Sequence, residues 1–130
     1  GGEDDEEYET TEDFILRLCA GAEKGSKHPL GQSILRAAEV WNVEPDTPEE
    51  REEIAGKGVR ALLPEGEVLC GSQSFLRENG IDLHMDYLNA YGSEVCVGLN
   101  GRYLGRLLLA DRVKDGVDGL INEIHHMQNK

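Results

Sequence analysis

An acid, a hydroxyl and an imidazole stand close together at Glu23, Ser26 and His28, directly ahead of Pro29. Proline fixes its own φ near the helical value and lacks only an N–H that the first turn of a helix leaves unused. The segment therefore predicts a short loop leading into a helix that begins at Pro29. Free N–H groups and the positive end of the helix dipole favour anions such as phosphates there. Residues from Glu23 to Leu30 thus indicate a small-molecule site.

Several other kinds of site do not fit the sequence. The Gly25-Ser26-Lys27 and Gly56-Lys57-Gly58 segments lack the order of a Walker phosphate loop, and the second also lacks the third glycine of a dinucleotide-binding fingerprint. Cys19, Cys70 and Cys96 are 51 and 26 residues apart, without a Cys-x-x-Cys pair, so no metal site is predicted. All three cysteines lie in apolar patterns and are predicted to be core residues rather than nucleophiles.

Length and charge limit the class of protein. The chain has 130 residues, which predicts one domain with a real core, and a net charge of −13. Residues 1–13 contain eight acids and no Lys or Arg, so residues 1–10 are expected to be a disordered acidic lead-in. The acidic balance argues against binding nucleic acid or anionic lipid.

The apolar runs and the cysteines of the sequence bear on the cellular compartment of the protein. The sequence predicts neither a membrane span nor a signal peptide, because it has no run of about 18 apolar residues and no basic-then-apolar start. An odd number of widely spaced cysteines predicts reduced thiols in a cytosolic setting.

Hydrophobic periodicity and turn residues predict the elements that must position the motif. Helices are expected over about 11–22 and 29–41, at 73–78 after an N-cap at Ser72, at 83–90, and at 113–127; a polar surface loop over 42–53; and strands over 54–63, 67–71, 94–99 and 103–109. Asn100-Gly101 is typical of a tight hairpin turn. The pattern predicts an α+β fold, an antiparallel β-sheet flanked by helices.

Two motifs, in this order and at this separation, resemble the nucleotide-binding (N) domain of P-type ATPases, specifically the heavy-metal-transporting subgroup. That family carries a Glu, four further residues and a His-Pro pair, present here as Glu23 and Ser26-Lys27-His28-Pro29-Leu30. It also carries Gly-x-Gly-Val/Ile at the start of a strand, present as Gly56-Lys57-Gly58-Val59. The resemblance covers about residues 12–125. It departs from the family at Gly71-Ser72, where Gly-Asn is common.

The resemblance implies an ATP-binding site made of seven residues: Glu23, Ser26, His28, Gly56, Gly58, Val59 and Ser72. Glu23 would accept the exocyclic amine of adenine, and His28 would stack on or hydrogen-bond the nucleotide. Gly56 and Gly58 would let the backbone approach the ligand, although a turn or β-bulge explains them too. Val59 would contact adenine or simply pack in the core. Ser72 would replace the family Asn or serve only as an N-cap.

The resemblance further implies a division of labour within a larger heavy-metal-exporting protein. Residues 11–111 would form the nucleotide-binding domain, and a C-terminal helix within 112–130 would lead toward the phosphorylation domain. The partners would be ATP or ADP, with Mg²⁺ accompanying the nucleotide, and the phosphorylation and actuator domains. The phosphorylated aspartate of the family lies in Asp-Lys-Thr-Gly-Thr, which this sequence does not contain, so no catalytic residue is predicted.

As an isolated unit the chain is expected to be a monomer without direct membrane contact, the cytoplasmic domain of a membrane-embedded protein. The alternative is a regulatory or interaction domain of the same fold without a competent nucleotide site, which Ser72 and the acidic surface would favour. An acyl- or phosphate-transfer enzyme is disfavoured because the sequence offers no nucleophile paired with a base.

Overall fold

One antiparallel sheet organises the chain, and its six strands lie in sequence order, each paired with the next. A computed structural model describes residues 9–83, 93–109 and 121–126. The strands are β1 (Glu50–Ile54), β2 (Gly58–Leu63), β3 (Gly66–Gly71), β4 (Ser93–Leu99), β5 (Arg102–Leu109) and β6 (Ile121–His126). The helices are α1 (Thr11–Ala22), α2 (Pro29–Val40) and α3 (Gln73–Glu78). The α+β fold predicted from the sequence is confirmed.

Local signals fix where the first two helices begin. The Thr10 hydroxyl caps α1 by accepting a hydrogen bond from the Asp13 N–H at 3.0 Å. Pro29 occupies the first turn of α2, and His28 precedes it in an extended conformation without a side-chain cap. The loop that carries the first motif is therefore held between the end of one helix and the start of the next.

Alternation along the strands places apolar side chains on both faces of the sheet. On β3, Val68 joins a large core that α1 and α2 cover, whereas Leu69 joins a smaller core beneath α3. On β4, Val95 and Cys96 divide in the same way. A strand with alternate residues in two cores has no freedom to slip by one residue. The sheet, with its register fixed in this way, supports the loops at the ends of the helices.

The predicted loop over residues 42–53 is wrong at its C-terminal end, where β1 begins at Glu50. The sequence Glu50-Arg51-Glu52-Glu53 has no apolar alternation, because β1 is a largely exposed edge strand. Its backbone pairs with β2, and this pairing requires no apolar side chain. The hairpin of β2 and β3, the hairpin of β4 and β5, and all three helices named above are confirmed. The strand predicted over residues 54–63 is too long at its start, because Ile54 ends β1 and residues 55–57 form the turn before β2.

The predicted C-terminal helix over residues 113–127 is wrong for residues 121–126, which form β6. Helical spacing of Ile121 and Ile124 suggested the helix, but β5 offers a free backbone edge, and β6 pairs with it from Gly105 to Leu109. Tertiary pairing overrides a weak local preference here. Residues 110–120, and the helix predicted over 83–90 beyond Leu83, lie outside the described residues. None of the described helices is long and apolar enough to cross a membrane.

Candidate functional site

A cleft of about 640 Å³ opens between the loop ahead of α2, the turn between β1 and β2, and the start of α3. This volume lies within the range of small-molecule sites. Six of the seven residues predicted from the sequence line it: Glu23, His28, Gly56, Gly58, Val59 and Ser72. Residues far apart in the chain therefore meet at one concave surface.

Ser26, the seventh predicted residue, lies beneath the loop and does not line the cleft. It is 7% exposed, and its hydroxyl accepts a hydrogen bond from the His28 N–H at 3.1 Å. The Ser26 N–H donates to the Glu23 carbonyl at 2.8 Å. The structure therefore gives Ser26 a part in shaping the loop that carries Glu23 and His28.

The Glu23 side chain is 12% exposed and lies over the first turn of α2. A Cβ at position 31 would clash with the Glu23 carboxylate and the Ser26 hydroxyl, so Gly31 makes room for both. Burial raises the pKa of Glu23, and the nearby Arg51 guanidinium offsets part of that rise. Glu23 is thus a partly desolvated hydrogen-bonding group at the wall of the cleft.

Glu53 joins the loop to the edge strand. Its Oε2 lies 3.6 Å from His28 Nε2 and 3.5 Å from Arg51 Nη2, and it accepts a hydrogen bond from the Ser26 hydroxyl at 3.4 Å. Arg51 also donates through Nε to the Ala22 carbonyl at 2.8 Å. Glu53 therefore lies beside the His28 imidazole at the edge of the cleft, and the His28 side chain is 68% exposed.

The two glycines of the second motif meet different structural requirements. Gly56 has a φ of 75°, a left-handed conformation that the turn between β1 and β2 requires. Gly58 faces Gly71 across the β2–β3 pair, and a Cβ there would clash with the Cys70 carbonyl and the Phe75 ring. Close strand packing therefore explains Gly58, and it keeps this end of the cleft open.

Val59 and Ser72 each combine a structural contact with a place at the cleft. Val59 is buried in the large core, and it also lines the cleft floor. The Ser72 hydroxyl caps α3 by accepting from the Phe75 N–H at 3.1 Å, which confirms the predicted cap. The Ser72 N–H donates to the Lys57 carbonyl at 3.1 Å and so ties α3 to the glycine turn.

Comparisons with known proteins agree on one family. The chain is 34% identical over 123 residues to a probable copper-exporting P-type ATPase V of Mycobacterium tuberculosis, and 33% identical over 117 residues to a zinc-transporting ATPase of Synechocystis. The alignments cover 88% and 90% of this chain. The chain spans only 16% of the length of each of these relatives. No family model matches the chain.

A solved structure shows which part of such proteins the fold corresponds to. The N-domain of HMA8, a copper-transporting P-type ATPase, superposes with a TM-score of 0.64 at 21% identity, over 75% of this chain and 89% of that one. The chain belongs to the heavy-metal-transporting P-type ATPase family, and its fold is that of the N-domain. The resemblance inferred from the two motifs is confirmed.

Three charged residues that line the cleft of this N-domain were missed by sequence reasoning: Glu53, Lys57 and Glu94. Glu94 is a buried carboxylate that accepts hydrogen bonds from Arg106 and from Gln73. Glu53 lies in β1, a segment that the sequence predicted to be a loop. Glu94 lies in β4 at a position where the alternating pattern predicts a side chain that faces solvent. Of these three residues, only Lys57 had a signal in the sequence, namely its place between the two glycines of the second motif.

Metal ligation has no support in the part of this N-domain that the structure describes. Within residues 9–83, 93–109 and 121–126, no three His, Cys, Asp or Glu side chains are grouped so that they could hold a metal ion. Cys19, Cys70 and Cys96 are buried free thiols.

Proposed function

We propose that this N-domain binds ATP in the cleft, and that within a longer heavy-metal-exporting P-type ATPase it positions ATP for phosphoryl transfer to an aspartate in a separate domain. The observation that carries the proposal is the convergence of Glu23, His28, Gly56 and Gly58 on a single cleft of about 640 Å³. Because the domain would contribute binding and orientation rather than bond-making, its share of catalysis would come from placing the γ-phosphate.

The chemistry of the walls favours a particular orientation of the nucleotide. Glu23 offers carboxyl oxygens in a partly desolvated position, where a hydrogen bond from the exocyclic amine of adenine gains more than it would in water. The exposed His28 ring can stack on the base without disturbing the core. The Gly56-to-Gly58 turn lets the ribose and phosphates pass close to the backbone.

The remaining parts of the proposal concern the larger protein. ATP or ADP would be the ligand, with Mg²⁺ arriving on the nucleotide, and the phosphorylation and actuator domains would be the partners. The domain would lie on the cytoplasmic side of a membrane-embedded protein and remain a monomer in isolation. The names of the relatives, and the 16% of their length that this chain spans, support its place within a larger P-type ATPase.

Titration of ATP, followed by amide chemical shifts, tests the binding site. We expect a dissociation constant of about 0.1–1 mM, or about −4 to −5.5 kcal/mol, because few contacts reach the phosphates in the absence of a neighbouring domain. Shifts should concentrate at Glu23, His28, Gly56 and Gly58. Absence of a response at these four amides at millimolar ATP would contradict the proposal.

Comparison of ATP, ADP and GTP in a thermal-shift measurement separates an ATP site from the alternative of a regulatory domain without one. A ligand that binds only the folded state raises the unfolding temperature, and at equal concentration the tighter ligand raises it more. We expect ATP and ADP to stabilise the domain more than GTP, which lacks the adenine amine. Equal and negligible shifts for all three would favour the regulatory alternative.

A further inference from the structure

We propose that Lys57 is the phosphate-binding residue of this cleft and that Glu78 holds its ammonium group until a nucleotide arrives. The inference rests on the proposed ATP site and deepens it, because it assigns the end of the ligand that Glu23 and His28 leave unassigned. Its starting point is the charge of the cleft, whose described lining residues include three carboxylates, Glu23, Glu53 and Glu94. A triphosphate needs a cation there that is free to leave its present partner.

Two arginines near the cleft already form ion pairs with carboxylates. Arg106 pairs with Glu94, and both side chains are less than 10% exposed. Arg51 lies between Glu23 and Glu53 and also donates to a helix carbonyl. Moving either guanidinium onto a phosphate would leave a poorly solvated carboxylate without its counter-charge, which is strongly unfavourable.

Lys57 is in a different position. It lines the cleft, but its ammonium nitrogen lies 2.7 Å and 2.9 Å from the two carboxylate oxygens of Glu78, a residue of α3 that is not among the described lining residues. The two side chains are 41% and 52% exposed. An exposed ion pair contributes little net stability, since water solvates each partner well when they separate. Lys57 can therefore exchange Glu78 for a phosphate at low cost.

The backbone of Lys57 is fixed while its side chain can move. Its N–H donates to the Ile54 carbonyl at 3.0 Å, and its carbonyl accepts from the Ser72 N–H at 3.1 Å. The ammonium group stands on a flexible four-carbon stem that starts between Gly56 and Gly58. With adenine beside Glu23 and His28, a phosphate chain that follows the glycine turn meets this ammonium.

Affinities for adenosine, AMP, ADP and ATP test the inference, because only the phosphates distinguish these ligands. In Lys57→Gln we expect ATP affinity to fall about 5- to 10-fold while adenosine affinity is unchanged, as a charge-assisted contact is lost. Lys57→Arg should keep most of the preference for ATP. Glu78→Gln should raise ATP affinity about 2- to 3-fold, because the competing carboxylate is removed.

Arg60→Gln is the matched control, since Arg60 forms a similarly exposed ion pair with Glu67 and is not among the described lining residues of the cleft. It removes the same charge from the neighbouring strand and should leave the ATP-to-adenosine ratio at its wild-type value. Unchanged unfolding temperatures would establish that each variant folds.

Two outcomes overturn the inference in distinguishable ways. Wild-type binding of ATP and adenosine with no selective loss in Lys57→Gln would exclude Lys57 as the phosphate ligand and leave the ATP site standing. Absence of any binding of ATP or adenosine by the wild-type chain would overturn the proposed function and the inference together.

Discussion

Among single residues, Glu23 makes the stability of the domain depend on pH. Burial raises its pKa in the folded chain above that of an unfolded glutamate. Between these two values the folded state holds more protons than the unfolded state. The free energy of unfolding must therefore fall as the pH rises through this interval, and the full cost of the buried charge is present above the folded-state pKa.

Glu23→Gln removes that cost because glutamine cannot ionise. We expect the difference in free energy of unfolding to shift in favour of the variant as the pH rises above about 4.3, the pKa of an unfolded glutamate, and through the raised pKa of the folded Glu23. Urea unfolding at several pH values measures it. Glu39→Gln, an exposed substitution on α2, controls for the loss of one negative charge. A difference that stays constant with pH would show that Glu23 is not destabilised by burial.

His28 is the residue whose substitution should separate binding from folding. Its side chain is 68% exposed, so His28→Gln should leave the unfolding temperature unchanged. ATP affinity should fall about 3- to 10-fold, because a stacking or hydrogen-bonding contact with the base is lost. Calorimetric titration is the measurement, with Lys27→Gln in the same loop as control. Wild-type affinity in His28→Gln would remove His28 from the site.

Among the elements, the cap of α3 joins folding to the cleft at Ser72. Ser72→Ala should lower the free energy of unfolding by about 1 kcal/mol, because the Phe75 N–H loses its acceptor. Ser72→Asn keeps a capping oxygen and adds an amide that can reach a ligand, so it should preserve stability and tighten ATP binding about 2- to 5-fold.

Chemical denaturation and ATP titration of both Ser72 variants distinguish the two roles. Equal stabilities for the alanine variant and the wild type would mean that the cap is dispensable. Weaker ATP binding in Ser72→Asn than in the wild type would indicate that the serine hydroxyl itself suits the ligand better than the family amide.

Sequence reasoning succeeded for elements whose signals are local. The cap at Ser72, the proline at the start of α2 and the Asn100-Gly101 turn each act within a few residues, so the predicted boundaries hold. It failed for β1 and β6, whose existence depends on the free edge of a neighbouring strand rather than on their own side chains.

The same distinction, between local signals and signals that depend on tertiary pairing, explains which site residues could be predicted from the sequence. Glu23 and His28 belong to one short motif, and Gly56 and Gly58 to another, so both sets could be recognised along the chain. Glu53 could not, because its contacts with His28, Arg51 and Ser26 arise only when β1 is paired and the loop folds over it.

For the whole molecule, the net charge of −13 affects the rate at which an anionic ligand associates with the protein. Long-range repulsion slows the encounter of ATP with an acidic protein, and salt screens that repulsion. We expect the association rate of ATP to rise a few-fold between about 0.01 M and about 0.3 M salt, while that of uncharged adenosine stays constant. Rapid-mixing or NMR line-shape measurements give both rates. A rate for ATP that falls with salt would mean that local attraction near the cleft controls the encounter.

The three buried thiols can be used to follow the opening of the folded domain. Cys19, Cys70 and Cys96 are the only cysteines in the sequence, and all lie in the packed interior. Burial raises the pKa of Cys96 to about 12, and that of Cys19 rises well above its usual range through its hydrogen bond with Cys70 and through burial. Thiolates rather than thiols attack alkylating reagents, so modification must wait for the interior to be exposed. When reclosing is faster than alkylation, the rate of alkylation reports the equilibrium population of the opened state, and slower alkylation with added nucleotide would measure ligand affinity without any attached label.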